Sequence, residues 1–230
     1  MARDVPPLHL AVLVSGEGTT LEALARAIRE GRLGATIDLV VSDREEARAL
    51  ERAAHWGLDR AVIPPPPRGP PEWEDLVAEA LEGAGAELVV LAGYRRVLKG
   101  PVLRRFPGRI VNVHPSLLPR FGGPGMYGLR VAQAVLASGD TVTGATVHVV
   151  TADLDHGPIL DQESWPVRPD DTPQSLSDRQ RPWEHELLLR VLSRVARGEL
   201  PLPLPARGSP EPQASSASGV DRGGSENSTR

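Results

Sequence analysis

Arg109-Ile110-Val111-Asn112-Val113-His114-Pro115-Ser116-Leu117-Leu118-Pro119 is the stretch on which the fold turns. From Ile110 to His114 apolar and polar side chains alternate, the period of a strand with two unlike faces. Asn112 and His114, two apart, share one face, and Val111 and Val113 share the other. Pro115 has no amide hydrogen, so it ends the ladder and holds His114 extended. A carboxamide and an imidazole therefore stand side by side where a strand ends. In an open α/β sheet, ligands bind outside the carboxyl ends of the strands. A carboxamide can donate to a developing oxyanion, and an imidazole can move a proton near neutral pH. The same pattern also fits a plain strand end with two polar residues capping a loop, and this stretch alone does not separate the two.

Working back toward the N-terminus, the apolar run Leu8 to Val14 suits a buried parallel strand. Ser15-Gly16-Glu17-Gly18-Thr19-Thr20 follows, and Leu21, Leu24, Ala25 and Ile28 then recur at helical spacing. Strand, glycine loop and helix together aim bare amides and a helix N-terminus at one point, which is an anion-binding arrangement. It is not a Walker loop, because no Gly-Lys-Ser/Thr occurs, and Leu21 occupies the third glycine position of a dinucleotide fingerprint. A tight turn without a ligand is the plainer alternative. Further strands are expected at 37–41, 61–63 and 87–91, and helices at 45–55, 72–82 and 100–106. Residues 64–71 hold six prolines around Arg68 and read as an exposed connector. Alternating strands and helices predict an α/β fold with a mostly parallel twisted sheet and helices on both faces.

Past Pro119 the character changes. Residues 120–128 carry four glycines and a proline and read as a loop, before a helix from Leu129 to Ser138. An alternating strand at 141–150, a polar turn Asp153-Leu154-Asp155-His156-Gly157-Pro158 and an antiparallel strand at 159–167 complete the sheet. A last helical segment runs from Thr172 to about Ala196, with Pro182 expected to divide it or to start its second half. Residues 1–205 are thus expected to form one domain. Residues 206–230, rich in Ser, Gly, Pro and Glu, bury too little apolar surface to offset ordering and are expected to form a disordered tail.

Composition narrows the chemistry. The 230 residues are 40% hydrophobic and 24% charged, ordinary for one globular domain, and a net charge of −4 gives no footprint for nucleic acid. There is no cysteine, so disulfides, thiolate metal sites and cysteine nucleophiles are excluded. No apolar run is long enough for a membrane span or a signal peptide, so a cytosolic protein is expected. His148 lies within an alternating strand and reads as packed rather than catalytic. His156 reads as solvated or lining the turn, and His9, His55 and His185 show no partner pattern. None of these histidines has metal-ligand spacing, so no metal is expected. Ser116 lacks the flanking glycines of a hydrolase nucleophile.

Taken together, VSGEGTTLEAL (14–24), LAGYRRVL (91–98), IVNVHPSLLPRF (110–121), GATVHVVTADLDHGPI (144–159) and VRPDDT (167–172) closely resemble the phosphoribosylglycinamide formyltransferase family, over about residues 8 to 200. The resemblance implies a Rossmann-like formyltransferase fold and formyl transfer from 10-formyltetrahydrofolate, as co-substrate, to the amine of glycinamide ribonucleotide in purine synthesis. It implies catalysis by Asn112, His114 and Asp155. It places the substrate phosphate on Ser15, Gly16, Glu17, Gly18, Thr19, Thr20 and Arg181, and the rest of that substrate on Glu184 and Pro115. It assigns the folate to Leu91, Tyr94, Arg95, Arg96, Val97, Leu98, Arg68, Val150 and Asp153. Thr20 stands where an asparagine is usual, with a hydroxyl able to cap the helix, and Arg95 stands where a methionine is usual. Small-molecule substrates are implied, without nucleic acid or membrane, in a monomer or homodimer.

Other readings compete. A methionyl-tRNA formyltransferase would be expected to add a basic C-terminal domain for RNA, and a non-catalytic binding module would leave three matched polar groups unused. Formyltetrahydrofolate hydrolases share the fold but usually carry an extra N-terminal regulatory domain, and here the first strand starts by Leu8. A nucleotide-binding oxidoreductase would use Gly16 and Gly18 with Asp43, and would leave Asn112 and His114 without a task.

Overall fold

The computed structural model describes residues 6–66 and 72–205. The expectations for Arg68 and for the tail at 206–230 fall outside those residues. Strands β1 (Leu8–Val14), β2 (Ala35–Ser42), β3 (Arg60–Val62), β4 (Leu88–Leu91), β5 (Ile110–His114), β6 (Val142–Val149) and β7 (Ile159–Pro166) form one sheet in the order β3-β2-β1-β4-β5-β6-β7. The first five are parallel. β6 runs antiparallel to β5, and β7 antiparallel to β6, as the alternating C-terminal segments predict.

β1 is central, hydrogen-bonded to β2 on one side and β4 on the other, which is why its sequence is apolar almost throughout. Leu10, Val12 and Val14 face one layer. There they meet α1 (Thr19–Arg29), α2 (Arg48–His55) and α6 (Pro173–Ala196) through Leu21, Ala49 and Leu188. Ala11 and Leu13 face the other, against α3 (Glu72–Gly83) and α4 (Pro101–Arg105) through Val77, Leu81 and Val102. A third cluster joins α5 (Leu129–Ser138) to Leu176 of α6.

Pro182 does not divide the last helix. α6 runs unbroken for 24 residues, opened by a capping box in which the Thr172 side chain accepts from the Ser175 amide. An interior proline costs about 3 kcal/mol. Burial of Leu187, Leu188, Val191, Leu192 and Val195 in the following turns, at about 1.5–3 kcal/mol for each large side chain, outweighs it. Tertiary packing therefore overrides the local signal.

Between β1 and β4 the chain reverses its direction of travel across the sheet. That switch point opens a crevice at the carboxyl ends of both strands, where the loop after β1 and the loop after β4 separate. The two loops are tied by one bond, from the Arg95 amide to Ser15 Oγ at 2.8 Å.

Candidate active site

The β5–β6 register builds the centre of the site. Asn112 lies opposite His148, and His114 opposite Thr146. Asn112 Nδ2 and His148 Nε2 are 3.1 Å apart, and His148 Nδ1 is 3.1 Å from the Val149 carbonyl. The carbonyl can only accept, so Nδ1 carries the proton and Nε2 accepts from the Asn112 amide. Burial lowers the His148 pKa, which keeps this ring neutral and fit for that role. Reading His148 as packed was right about its 2% exposure. It missed that a period of two in β6 puts the ring beside Asn112.

His114 donates from Nε2 to the Phe121 carbonyl at 2.8 Å and turns Nδ1 toward Asp155 Oδ2, 3.7 Å away. Asp155 Oδ1 lies 3.7 Å from His148 Nε2, and Oδ2 accepts from the Gly123 amide at 2.9 Å. The carboxylate thus sits between two imidazoles at ion-pair rather than hydrogen-bond distance. It is nearly buried, with 8% of its side chain exposed. The turn after β6 delivers it there. Asp155 adopts φ +58°, a region that aspartate tolerates better than most side chains. At Gly157 a Cβ would run into the Val149 carbonyl oxygen, so only glycine fits.

The loop after β1 docks on α2: the Gly16 carbonyl accepts from the Ala49 amide at 3.0 Å. Gly18, at φ +74°, is the N-cap of α1, and a Cβ there would lie 2.7 Å from Ala49. No side chain caps this helix. The Thr20 hydroxyl, expected as a cap, lies within the first turn, 3.4 Å from His185 Nε2. The first helical bond runs from the Glu22 amide to the Gly18 carbonyl, so the amides of Thr19, Thr20 and Leu21 have no helical acceptor and are free for an anion. The Glu17 side chain is drawn out of the loop by Arg48 Nη1 at 3.0 Å.

α6 closes the site from the side. Gln180 Nε2 reaches the Pro115 carbonyl at 3.5 Å and Glu184 Oε1 at 3.4 Å, which links the helix to the end of β5. Arg181 pairs with Asp178 at 3.0 Å. Sequence reasoning passed over Gln180 and read His185 as showing no partner pattern, although its Nε2 lies 3.4 Å from the Thr20 hydroxyl. Gln180 left one signal, its i,i+4 spacing from Glu184; the Thr20–His185 contact spans 165 residues and left none. Burial lowers the His185 pKa to about 4, Arg181 adding to the effect, and burial raises the Glu184 carboxyl to about 7.

The Glu184 shift has a testable sign. Its ordinary value is 4.5, so between pH 4.5 and about 7 the folded chain holds a proton that the unfolded chain has lost. The favourable contribution is complete below pH 4.5 and drains away as pH rises to about 7. Glu184→Gln removes that slope. Its stability relative to the parent, from urea unfolding at a series of pH values, is expected to climb by up to about 3 kcal/mol over the interval.

Beyond β4, Leu91, Tyr94, Leu98 and Val150 belong to one apolar cluster. Val97 is exposed, and Arg96 Nε is bound to Asp43 at 2.7 Å. Asp153 is exposed on the turn that carries Asp155. Among the described residues no group of three or more His, Cys, Asp or Glu could hold a metal ion.

The chain is similar to known proteins over most of its length. The profile of the formyl transferase family matches residues 8–192. The phosphoribosylglycinamide formyltransferase of Haemophilus influenzae is 34% identical over 194 residues, 84% of this chain and 89% of that protein. The chain belongs to the phosphoribosylglycinamide formyltransferase family. Within that family, the crystal structure of glycinamide ribonucleotide transformylase 1 from Symbiobacterium toebii superposes with a TM-score of 0.80 at 39% identity, covering 85% of this chain and 91% of that one. The trifunctional purine biosynthetic protein adenosine-3 of Gallus gallus is 40% identical over 192 residues, 83% of this chain but 19% of that protein. The chain therefore spans only 14% to 19% of the length of its trifunctional relatives. A formyltetrahydrofolate deformylase from Pseudomonas syringae shares the fold at 25% identity and a TM-score of 0.75.

Proposed function

We propose that this chain transfers a formyl group from 10-formyltetrahydrofolate to the primary amine of glycinamide ribonucleotide in purine synthesis, as a cytosolic enzyme of small molecules. The observation that carries this reading is the convergence of Asn112, His114, His148 and Asp155 from two strands and a turn. They meet on the carboxyl-end side of a sheet whose switch point holds a loop with free amides.

The amine nitrogen attacks the formyl carbon, and the carbon–oxygen double bond becomes a single bond carrying the negative charge. Asn112 uses one N–H on His148 and has a second for that oxygen, a donor typically worth about 3–4 kcal/mol at an oxyanion. As the tetrahedral centre collapses, the bond from carbon to the folate nitrogen breaks. The attacking nitrogen loses a proton and the folate nitrogen gains one. Asp155 and His114 stand together to move that proton. No covalent formyl-enzyme is needed. The amides of Thr19, Thr20 and Leu21 receive the phosphate, and Glu184 and the Pro115 segment border the remainder of that substrate. Leu91, Tyr94, Leu98 and Val150 underlie the folate wall.

Incubation with 10-formyltetrahydrofolate, followed by folate absorbance, tests the reading. Release of tetrahydrofolate that depends on glycinamide ribonucleotide is the expected result. Release at the same rate without the amine would assign the chain to hydrolysis, the activity in the name of its Pseudomonas syringae neighbour. Replacing His148 by leucine frees the Asn112 amide to rotate and is expected to lower kcat about 10- to 100-fold at little change in KM, as steady-state kinetics would record.

A further inference from the structure

The charges around the glycine loop are unevenly committed. Glu17 is matched by Arg48 at 3.0 Å, and its carbonyl accepts from Arg52 Nε at 2.8 Å. Arg181 is matched by Asp178 at 3.0 Å, and Arg96 by Asp43 at 2.7 Å. His185, beside Thr20, is neutral in neutral solution because burial lowers its pKa to about 4. Arg95 differs from all of these. Its amide is fastened to Ser15 Oγ at 2.8 Å. Its Nη2 stands 3.9 Å from the point that a Cβ on Gly16 would occupy. Among the described residues its guanidinium has neither a carboxylate nor a carbonyl partner. It is the uncommitted cation above the loop.

A phosphate monoester carries about 1.5 to 2 negative charges at neutral pH. Free amides at a helix N-terminus supply dipoles but no full charge, and Arg48, Arg52 and Arg181 around the loop are each paired with a carboxylate. We propose that Arg95 is the counter-ion of the substrate phosphate and sets the preference for the phosphorylated amine over its nucleoside. The inference rests on reading the 15–20 loop as the phosphate seat. A planar guanidinium closing over Gly16 can engage two phosphate oxygens at once, while the amides of α1 hold the others. Arg95 also leads the segment that borders the folate, so a single residue joins the two substrate walls across the switch point.

Arg95→Met tests this, since the side chain is exposed and its removal leaves the core intact. The variant is expected to raise KM for glycinamide ribonucleotide about 10- to 100-fold, with kcat changed less than about threefold, as loss of uniform binding requires. KM for the formyl folate changes less than KM for the amine, and discrimination against the unphosphorylated nucleoside falls by the same factor as the amine KM rises. A second readout needs no turnover: inorganic phosphate raises the thermal midpoint of the parent chain, and the rise shrinks in Arg95→Met. An equal rise in both chains overturns the proposal, as does an unchanged KM for the amine. A KM rise for the folate alone overturns it too, and assigns the guanidinium to the folate's glutamate carboxylates. Should the parent show no amine-dependent transfer yet keep the Arg95-dependent phosphate response, the transfer reading fails while the counter-ion stands.

Discussion

Asp155→Asn is expected to lower kcat about 10²- to 10⁴-fold at saturating concentrations of both substrates, the range for loss of a proton-transfer partner. The replacement is nearly isosteric. Asparagine shares aspartate's tolerance of the left-handed backbone, so the φ of +58° and the 150–158 turn survive. The amide oxygen can still accept from Gly123, so the loop stays docked on the turn. What disappears is the negative charge between His114 and His148 and one acceptor for a moving proton. The urea midpoint should therefore shift little while turnover collapses. A variant that keeps near-full kcat at saturation would show that the carboxylate has no part in the chemistry, whatever its position.

Gly157→Ala is expected to act through the fold instead. Its Cβ would run into the Val149 carbonyl oxygen, which already accepts from His148 Nδ1, and into the Thr151 side chain 3.2 Å away. The backbone must move, because no flexible side-chain end is available to give way. A loss of about 3 kcal/mol in urea unfolding is expected, at the top of the usual range for overpacking. Activity should fall as well, since the displaced turn carries Asp155 and the displaced carbonyl fixes the tautomer of His148. A variant of parental stability and turnover would mean that the turn relaxes at no cost, and that its geometry does not set the site.

Much of this was legible in the residues. Apolar runs and helical spacings placed the seven strands and most helices, because a strand covered on both faces and a helix covered on one leave unmistakable periods. The pairing of Asn112 with His114 followed from a period of two. The unbroken α6 did not follow, because Pro182 signals a break that is local, whereas the burial outweighing it comes from the sheet that α6 packs on. The Asn112–His148 bond depends on antiparallel register between β5 and β6, and the contact of Thr20 with His185 on bringing two helices together.

Sequence alone thus determined the parallel α/β frame, the glycine loop after the first strand, and which polar groups end the fifth. Those are local matters of period, turn chemistry and missing amide hydrogens. Tertiary structure alone decided that Asp155 reaches His114, that His148 steers Asn112, and that the guanidinium of Arg95 lies over Gly16 rather than on a carboxylate. Those relations join residues far apart in the chain, and they are set by sheet order, register and packing, which no short stretch encodes.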